Sequence, residues 1–165
     1  MEMQLGAGIA DLGIGVDPPG STQIKSRKLF DERYLCVAAK GTVGAPLTAE
    51  AYAGLDHVVV TRTDAVSSPI DTRLADLGLT RRVVLRLPYF STALAIVAHG
   101  GLVMTAPESI ARRAARLAEL EVMPLPFETP MFAVHLVWHE RFGHDPLNIW
   151  FRTQLGLASQ GRREM

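Results

Sequence analysis

Three histidines near the C-terminus are spaced in a way that could serve a metal ion. His135, His139 and His144 would suit zinc if the first two lay one turn apart on a helix. Residues 132–138, however, are rich in β-branched and aromatic side chains and predict a strand. Along a strand the first two histidines would be about 13 Å apart, which is too far for one ion. The spacing therefore predicts no metal site.

A second possible chemistry is nucleophilic, because Ser91, His57 and Asp71 are the residue types of a serine hydrolase. A chain with several serines always permits such a choice, and no serine here lies in a G-x-S-x-G sequence. Ser91 is better interpreted as a helix-start residue whose backbone N–H and hydroxyl bind an anion. The chain is accordingly predicted not to be an enzyme.

Short glycine pairs do not predict a nucleotide site. They occur at Gly6 and Gly8, at Gly13 and Gly15, and at Gly100 and Gly101. None belongs to a G-x-G-x-x-G sequence between a strand and a helix, and no P-loop lysine is present. Turns and close packing explain these glycines, and no cofactor is expected.

The elements that must position ligand-binding residues lie between residues 74 and 113. This stretch predicts a strand at 83–87, a turn at 88–92 that opens a helix, and a second strand at 102–105. A helix that begins just after a buried strand presents free N–H groups where α/β sheets bind small ligands. We therefore expect a sensor of a small, anionic molecule.

Within that stretch, the turn offers two aromatic rings, Tyr89 and Phe90, after Pro88. The rings either wedge the turn against the core, or one of them lines a cleft and stacks on a flat ligand. The position just before a helix favours the second interpretation. His57, at the start of a valine-rich strand, fits a structural role and a ligand-binding role equally well.

Capping residues mark the other helices. Thr48 and the Ser68-Pro69 pair predict helix starts, and Gly78 predicts a helix end. Thr105 and Glu108 have the spacing of a capping box, which would open the helix after the second strand.

Short strands alternate with these helices. They are predicted at residues 11–15, 24–30, 34–39, 57–61, 122–125 and 132–138. The alternation favours a mainly parallel α/β sheet. The first strand is followed by a turn-forming segment at 17–20, and only residues 132–138 or the last helix are available to pack against it. We therefore expect the chain to be a piece of something longer.

The last helix is predicted to start at Asp145-Pro146. Its apolar residues form one stripe, at Leu147, Trp150, Phe151 and Leu155. Residues 159–165 are expected to form a disordered tail.

Charge excludes some classes of function. The 17 basic and 17 acidic residues balance, so the chain shows no electrostatic footprint for nucleic acid. Small basic clusters occur at Lys25, Arg27 and Lys28, at Arg81 and Arg82, and at Arg112, Arg113 and Arg116. Solvated helix faces and strand edges explain them better than phosphate binding does.

The single cysteine, Cys36, lies in an apolar run and is predicted to be a small buried hydrophobe. It cannot form a disulfide within the chain. The chain shows neither a signal-peptide pattern nor an apolar run of membrane-spanning length. A cytoplasmic protein without membrane contact is expected.

Several of these sequences together resemble the effector-binding domain of LysR-type transcriptional regulators. The resemblance is carried by residues 11–15, 71–78, 81–83, 88–90, 106–111, 138–141, 145–146 and 150–152. The resemblance covers most of residues 5–158. Within the family, the sequence is most similar to the branch that senses aromatic acids, nitroaromatics and flavonoids. The resemblance implies two α/β lobes like those of type 2 periplasmic-binding proteins, with the effector in the cleft between them.

By this resemblance, residues 37–133 would form a complete second lobe. Residues 1–36 and 134–158 would form part of a first lobe. The family's winged helix-turn-helix is absent, so DNA would be bound only through a domain that this chain lacks. The full-length protein is expected to be a homo-oligomer, such as a dimer.

The resemblance also implies which residues face the effector. His57, Pro88, Tyr89, Phe90 and Ser91 match cleft-facing positions, and Trp138 matches a position near the crossover between lobes. The expected partner is a small aromatic or anionic effector, which favours one arrangement of the lobes by population shift. A stand-alone solute-binding protein is the first alternative, and a small α/β hydrolase is the second.

Overall fold

The computed structural model describes residues 1–16, 20–44, 46–61 and 68–160. The helices are α1 (Glu2–Gly6), α2 (Ala49–Gly54), α3 (Pro69–Asp76), α4 (Phe90–Val97), α5 (Glu108–Ala115) and α6 (Pro146–Gln160). The strands are β1 (Gly13–Val16), β2 (Ile24–Glu32), β3 (Tyr34–Ala39), β4 (Asp56–Val60), β5 (Arg82–Leu87), β6 (Val103–Pro107), β7 (Leu120–Pro124) and β8 (Phe132–His139). A short 3-10 helix occupies Glu140–Phe142.

The chain divides into two compact units. Unit 1 comprises Met1–Glu32 and Phe132–Met165, and unit 2 comprises Arg33–Met131. These divisions fall before the expected lobe boundaries at residues 36 and 133. The reason is strand pairing, because β3 pairs wholly with β6 and β7, whereas β8 pairs wholly with β1 and β2.

Unit 2 contains a five-stranded sheet in the order β5-β4-β6-β3-β7. Strand β4 runs parallel to β5 and β6, whereas β3 runs antiparallel to β6 and β7. The prediction of a mainly parallel sheet is therefore wrong. Strand β3 enters unit 2 at the edge where β6 ends, since Tyr34 lies opposite Pro107, and so it must run in the reverse direction.

Helices cover both faces of this sheet, because successive residues of a central strand point to opposite sides. Leu35 and Val37 of β3 pack in the cluster that contains α4 and α5. Cys36 and Ala38 pack in the cluster that contains α2 and α3. The prediction of a buried cysteine is confirmed, and burial raises the pKa of the Cys36 thiol to about 12.

Most predicted helix ends in unit 2 are confirmed. The Thr48 hydroxyl accepts a hydrogen bond from the Ala51 N–H at 3.2 Å, and Ser68 does the same for Ile70 at 3.2 Å. Gly78 follows α3 with a φ of +72°, a conformation that side chains disfavour. Capping therefore predicted these helices at nearly their observed bounds.

The prediction of a capping box at the start of α5 is wrong. Thr105 belongs to β6, and its hydroxyl lies 2.6 Å from the Tyr52 hydroxyl. The Glu108 carboxylate binds the guanidinium groups of Arg33 and Arg112 instead of a backbone N–H of the preceding turn. Strand pairing through Pro107 keeps Thr105 in extended conformation, which prevents it from capping the helix.

Unit 1 contains an antiparallel sheet in the order β1-β8-β2. The predicted pairing of the first strand with 132–138 is confirmed, since Gly13 lies opposite Val137. Leu5 of α1 is buried against Ile24 and Val137. Residues 17–19 of the predicted turn lie outside the described residues.

Helix α6 starts after Asp145, whose carboxylate accepts a hydrogen bond from the Asn148 N–H at 2.7 Å. The predicted apolar stripe is largely exposed, with Leu147, Trp150 and Phe151 all open to solvent. The predicted tail begins too early, because Ser159 and Gln160 belong to α6. Residues 161–165 lie outside the described part. No described helix is both long and apolar enough to span a membrane.

Candidate functional site

The parallel strands of unit 2 bring their carboxyl ends to one edge of the sheet. Val60, the last residue of β4, lies opposite Leu87, the last residue of β5. Strand β5 leads through Pro88 and Tyr89 into α4, and β6 leads directly into α5. Two helices therefore begin at this edge, which is where open α/β sheets bind ligands.

Residues 88–92, which we call the 88–92 corner, form an open surface at this edge. Tyr89 is extended at the start of α4, with φ −132° and ψ 132°, and the residue is 66% exposed. Ser91 and Thr92 are exposed as well, whereas Phe90 packs against the core. The Phe90 ring thus anchors the turn, whereas the Tyr89 ring is accessible from solvent.

The first turn of α4 is electrostatically suited to an anion. Its N–H groups have no acceptor within the helix, since the first bond of the α4 ladder runs from the Ala93 N–H to the Tyr89 carbonyl at 3.2 Å. Tyr89 occupies the N-cap position, and its side chain accepts no hydrogen bond from these N–H groups. The aligned peptide dipoles also place partial positive charge there. A carboxylate at this corner would accept hydrogen bonds from backbone N–H groups beside two exposed hydroxyls.

The structure does not bring His57 to the corner. His57 lies near the start of β4, opposite Val83, and Val83 precedes Leu87 by about 13 Å of extended chain. Its ring is fully buried, and Nε2 donates to the Tyr52 carbonyl at 2.8 Å. The ring also contacts Tyr52 edge to face, with centroids 4.6 Å apart. These contacts favour the structural role.

The residues of a hydrolase triad are not assembled. Both Asp71 oxygens accept hydrogen bonds from Arg81, at 2.6 and 3.0 Å. His57 lies on the sheet face with Tyr52, whereas α4, which carries the exposed Ser91, packs on the opposite face. Ser91, His57 and Asp71 therefore do not form a catalytic triad.

Burial lowers the pKa of His57 to about 4. The unfolded chain, with an ordinary histidine pKa near 6.5, therefore binds more protons than the folded chain between pH 6.5 and pH 4. We expect acidification through this window to lower the free energy of unfolding by up to about 1.4 kcal/mol per pH unit from this group. Urea unfolding at pH 7 and pH 5 measures the loss. The loss should shrink in His57→Gln, and an equal loss in both proteins would contradict the assignment.

Trp138 and the C-terminal histidines lie in unit 1. The guanidinium of Arg152 lies 4.3 Å from the Trp138 ring centroid, and so covers part of the ring face that a ligand would use. His135 and His139 are both in β8, and His139 Nδ1 accepts from the Arg141 N–H at 3.1 Å. No group of three metal-binding side chains is found among the residues described.

Two charged clusters were not predicted. Arg81 was expected on a solvated surface, but its side chain is only 4% exposed. Its partner Asp71 lies ten residues earlier, on a helix that packs against the sheet, and no spacing rule predicts that pair. The second cluster consists of Glu108 with Arg33 and Arg112. The i,i+4 spacing indicates the pair of Glu108 with Arg112, but no spacing indicates the pair with Arg33.

Sequence comparison gives a consistent family. Residues 1–158 match the model of the LysR substrate binding domain. The HTH-type transcriptional activator NagR of Ralstonia sp is 31% identical over 148 residues, which cover 88% of this chain and 49% of NagR. NahR of Pseudomonas putida, another HTH-type transcriptional activator, is 29% identical over 147 residues, with the same coverage. The chain thus spans about half the length of these relatives.

Solved structures agree with this family. A probable transcriptional regulator from Pseudomonas aeruginosa matches with a TM-score of 0.80 and 31% identity, covering 94% of this chain and 52% of that chain. A putative transcriptional regulator from Vibrio parahaemolyticus matches with a TM-score of 0.86 and 27% identity, covering 99% and 78%. The two sheets and their helices are those of the type 2 periplasmic-binding-protein-like fold. The chain belongs to the LysR substrate-binding domain family.

Proposed function

We propose that this chain is the effector-binding domain of a LysR-type transcriptional regulator and that it binds a small aromatic acid at the 88–92 corner. The observation that carries the proposal is the open start of α4, where an exposed aromatic ring lies beside uncapped N–H groups. Relatives named as transcriptional activators support the regulatory role. The whole protein would act on DNA through another domain, as a cytoplasmic oligomer.

The corner suits an aromatic acid because its two kinds of group lie next to each other. N–H groups at a helix start, with the positive end of the helix dipole, favour a carboxylate. The exposed ring of Tyr89 can stack on a flat ligand, and its hydroxyl can form a hydrogen bond. Neither interaction requires a nucleophile, a metal or a cofactor.

Two residues of the resemblance are given other roles in this proposal. Burial and the bond to Tyr52 support a packing role for His57. The Arg152 guanidinium over the Trp138 ring supports a packing role for that tryptophan within unit 1. The proposed contacts in unit 2 are therefore Pro88, Tyr89 and Ser91, with Phe90 as the anchor of the turn.

Regulation would follow from unequal binding. An effector shifts an equilibrium between two arrangements of a protein only by as much as its affinity for them differs. Tight binding alone is therefore not sufficient for regulation. The effector must also shift the equilibrium between the two arrangements in a way that changes how the regulator presents its DNA-binding domains. No covalent step is involved.

Isothermal titration with salicylate tests the proposed site. We expect saturable binding, and we expect Tyr89→Ala to weaken it by about tenfold because stacking on the ring is lost. Tyr89→Phe keeps the ring and should weaken binding less. Salicylamide, which lacks the carboxylate, should bind more weakly than salicylate.

A matched control is Leu117→Ala, since Leu117 is also exposed in unit 2 but follows α5 rather than preceding a helix. This variant should bind salicylate like the unmodified chain. Equal affinity of Tyr89→Ala and the unmodified chain would overturn the proposed site.

A further inference from the structure

The chain passes from unit 1 to unit 2 between two adjacent residues, Glu32 and Arg33. Glu32 is the last residue of β2 and lies opposite Phe132 of β8. The Arg33 carbonyl accepts a hydrogen bond from the Glu108 N–H at 2.9 Å, just beyond the last pair of the β3–β6 ladder. One sheet therefore holds the residue before the crossing, and the other sheet holds the residue after it.

The side chain of Glu108 reinforces this backbone bond. Its carboxylate accepts hydrogen bonds from Arg33 Nε at 2.6 Å and Arg33 Nη2 at 2.9 Å. Arg112, one turn later in α5, donates from Nε at 2.6 Å and fixes the carboxylate from the other side. The hydrogen bond from Arg33 holds the pKa of Glu108 near 2, so the carboxylate is charged at neutral pH. Glu108 therefore binds Arg33 twice, through its backbone N–H and through its carboxylate.

The return crossing, between Met131 and Phe132, has a different construction. Residues 125–131 form neither helix nor strand, and Met131 is exposed. The two crossings are therefore unequal, because only the outgoing one continues from one strand ladder into another.

We propose that Glu108 is a positioning residue that clamps the crossover strand at Arg33 to the start of α5 within unit 2. Bidentate pairing of an arginine with a carboxylate restricts geometry as well as adding stability, which is what a clamp requires. The inference uses no ligand and holds whether or not the 88–92 corner binds one.

Amide hydrogen exchange followed by NMR at neutral pH tests the clamp. In Glu108→Gln, the amide of residue 108 should exchange about fivefold faster, because the charged pair that closes this local opening is lost. The amides of β4 should keep their rates. Arg33→Gln should produce the same acceleration, and combining the two changes should add little.

Glu119→Gln is the matched control, since Glu119 pairs with Lys40 at 2.8 Å on the surface of the same unit. It should leave the exchange of residue 108 unchanged. The proposal is overturned if Glu108→Gln does not alter that amide, if it accelerates β4 equally, or if the control has the same effect.

Discussion

Replacing Tyr52 by alanine is expected to lower the free energy of unfolding by about 4 kcal/mol. The side chain is fully buried, and its ring contacts His57 and, with centroids 5.3 Å apart, Phe127. Its hydroxyl bonds Thr105 in β6. Truncation would leave a cavity in the core and remove the partner of a half-buried hydroxyl. Urea unfolding monitored by circular dichroism measures the change.

Two tyrosine variants control for this prediction. Tyr52→Phe removes only the hydroxyl and should cost about 1 kcal/mol. Tyr89→Ala removes an exposed ring and should change stability by less than about 0.5 kcal/mol. If Tyr52→Ala proved as stable as Tyr89→Ala, the packing described for α2 against the sheet would be incorrect.

Replacing Asp71 by alanine is expected to destabilise the chain by about 2 kcal/mol, because it removes the two carboxylate oxygens that accept hydrogen bonds from a buried guanidinium. Arg81 is 4% exposed and cannot lose its charge, whereas Asp71 is 45% exposed and can be solvated. The effect should therefore be asymmetric. Arg81→Met, which removes the buried charge itself, should cost less than about 1 kcal/mol.

The double variant and a neighbouring pair test the cause of this asymmetry. Asp71→Ala combined with Arg81→Met should be no less stable than Asp71→Ala alone, since no unpaired cation remains buried. Asp76→Ala, in the same helix, breaks an exposed pair with Arg73 and should cost less than about 0.5 kcal/mol. Chemical unfolding of all four variants provides the comparison. A greater loss in Arg81→Met than in Asp71→Ala would contradict the account.

Local signals predicted the elements of the chain well. Thr48 and Ser68 cap their helices as expected, because a capping hydroxyl acts within three residues of its own position. The same reasoning failed at Thr105, where pairing with β3 outweighed the local spacing. Short-range patterns are reliable only where no distant segment competes for the same backbone groups.

Contacts between residues far apart in the chain could not be predicted from the sequence. The direction of β3 depends on pairing with β6 and β7, which lie far away in the chain, so the antiparallel pairs were missed. The burial of Arg81 cannot be predicted from local sequence, because its partner Asp71 meets it only after α3 packs on the sheet. At the candidate site, the Tyr89–Ser91 region followed from a local strand–helix turn. The burial of His57 did not, because it depends on the packing of α2.

The position of bound effector is the most direct test of the central claim, and an NMR titration of the isotope-labelled chain with salicylate measures it. The account predicts saturable shifts that are largest at the amides of Phe90, Ser91 and Thr92, with β4 near His57 little changed. Saturable shifts confined to another region, such as α6, with none at the start of α4, would contradict it.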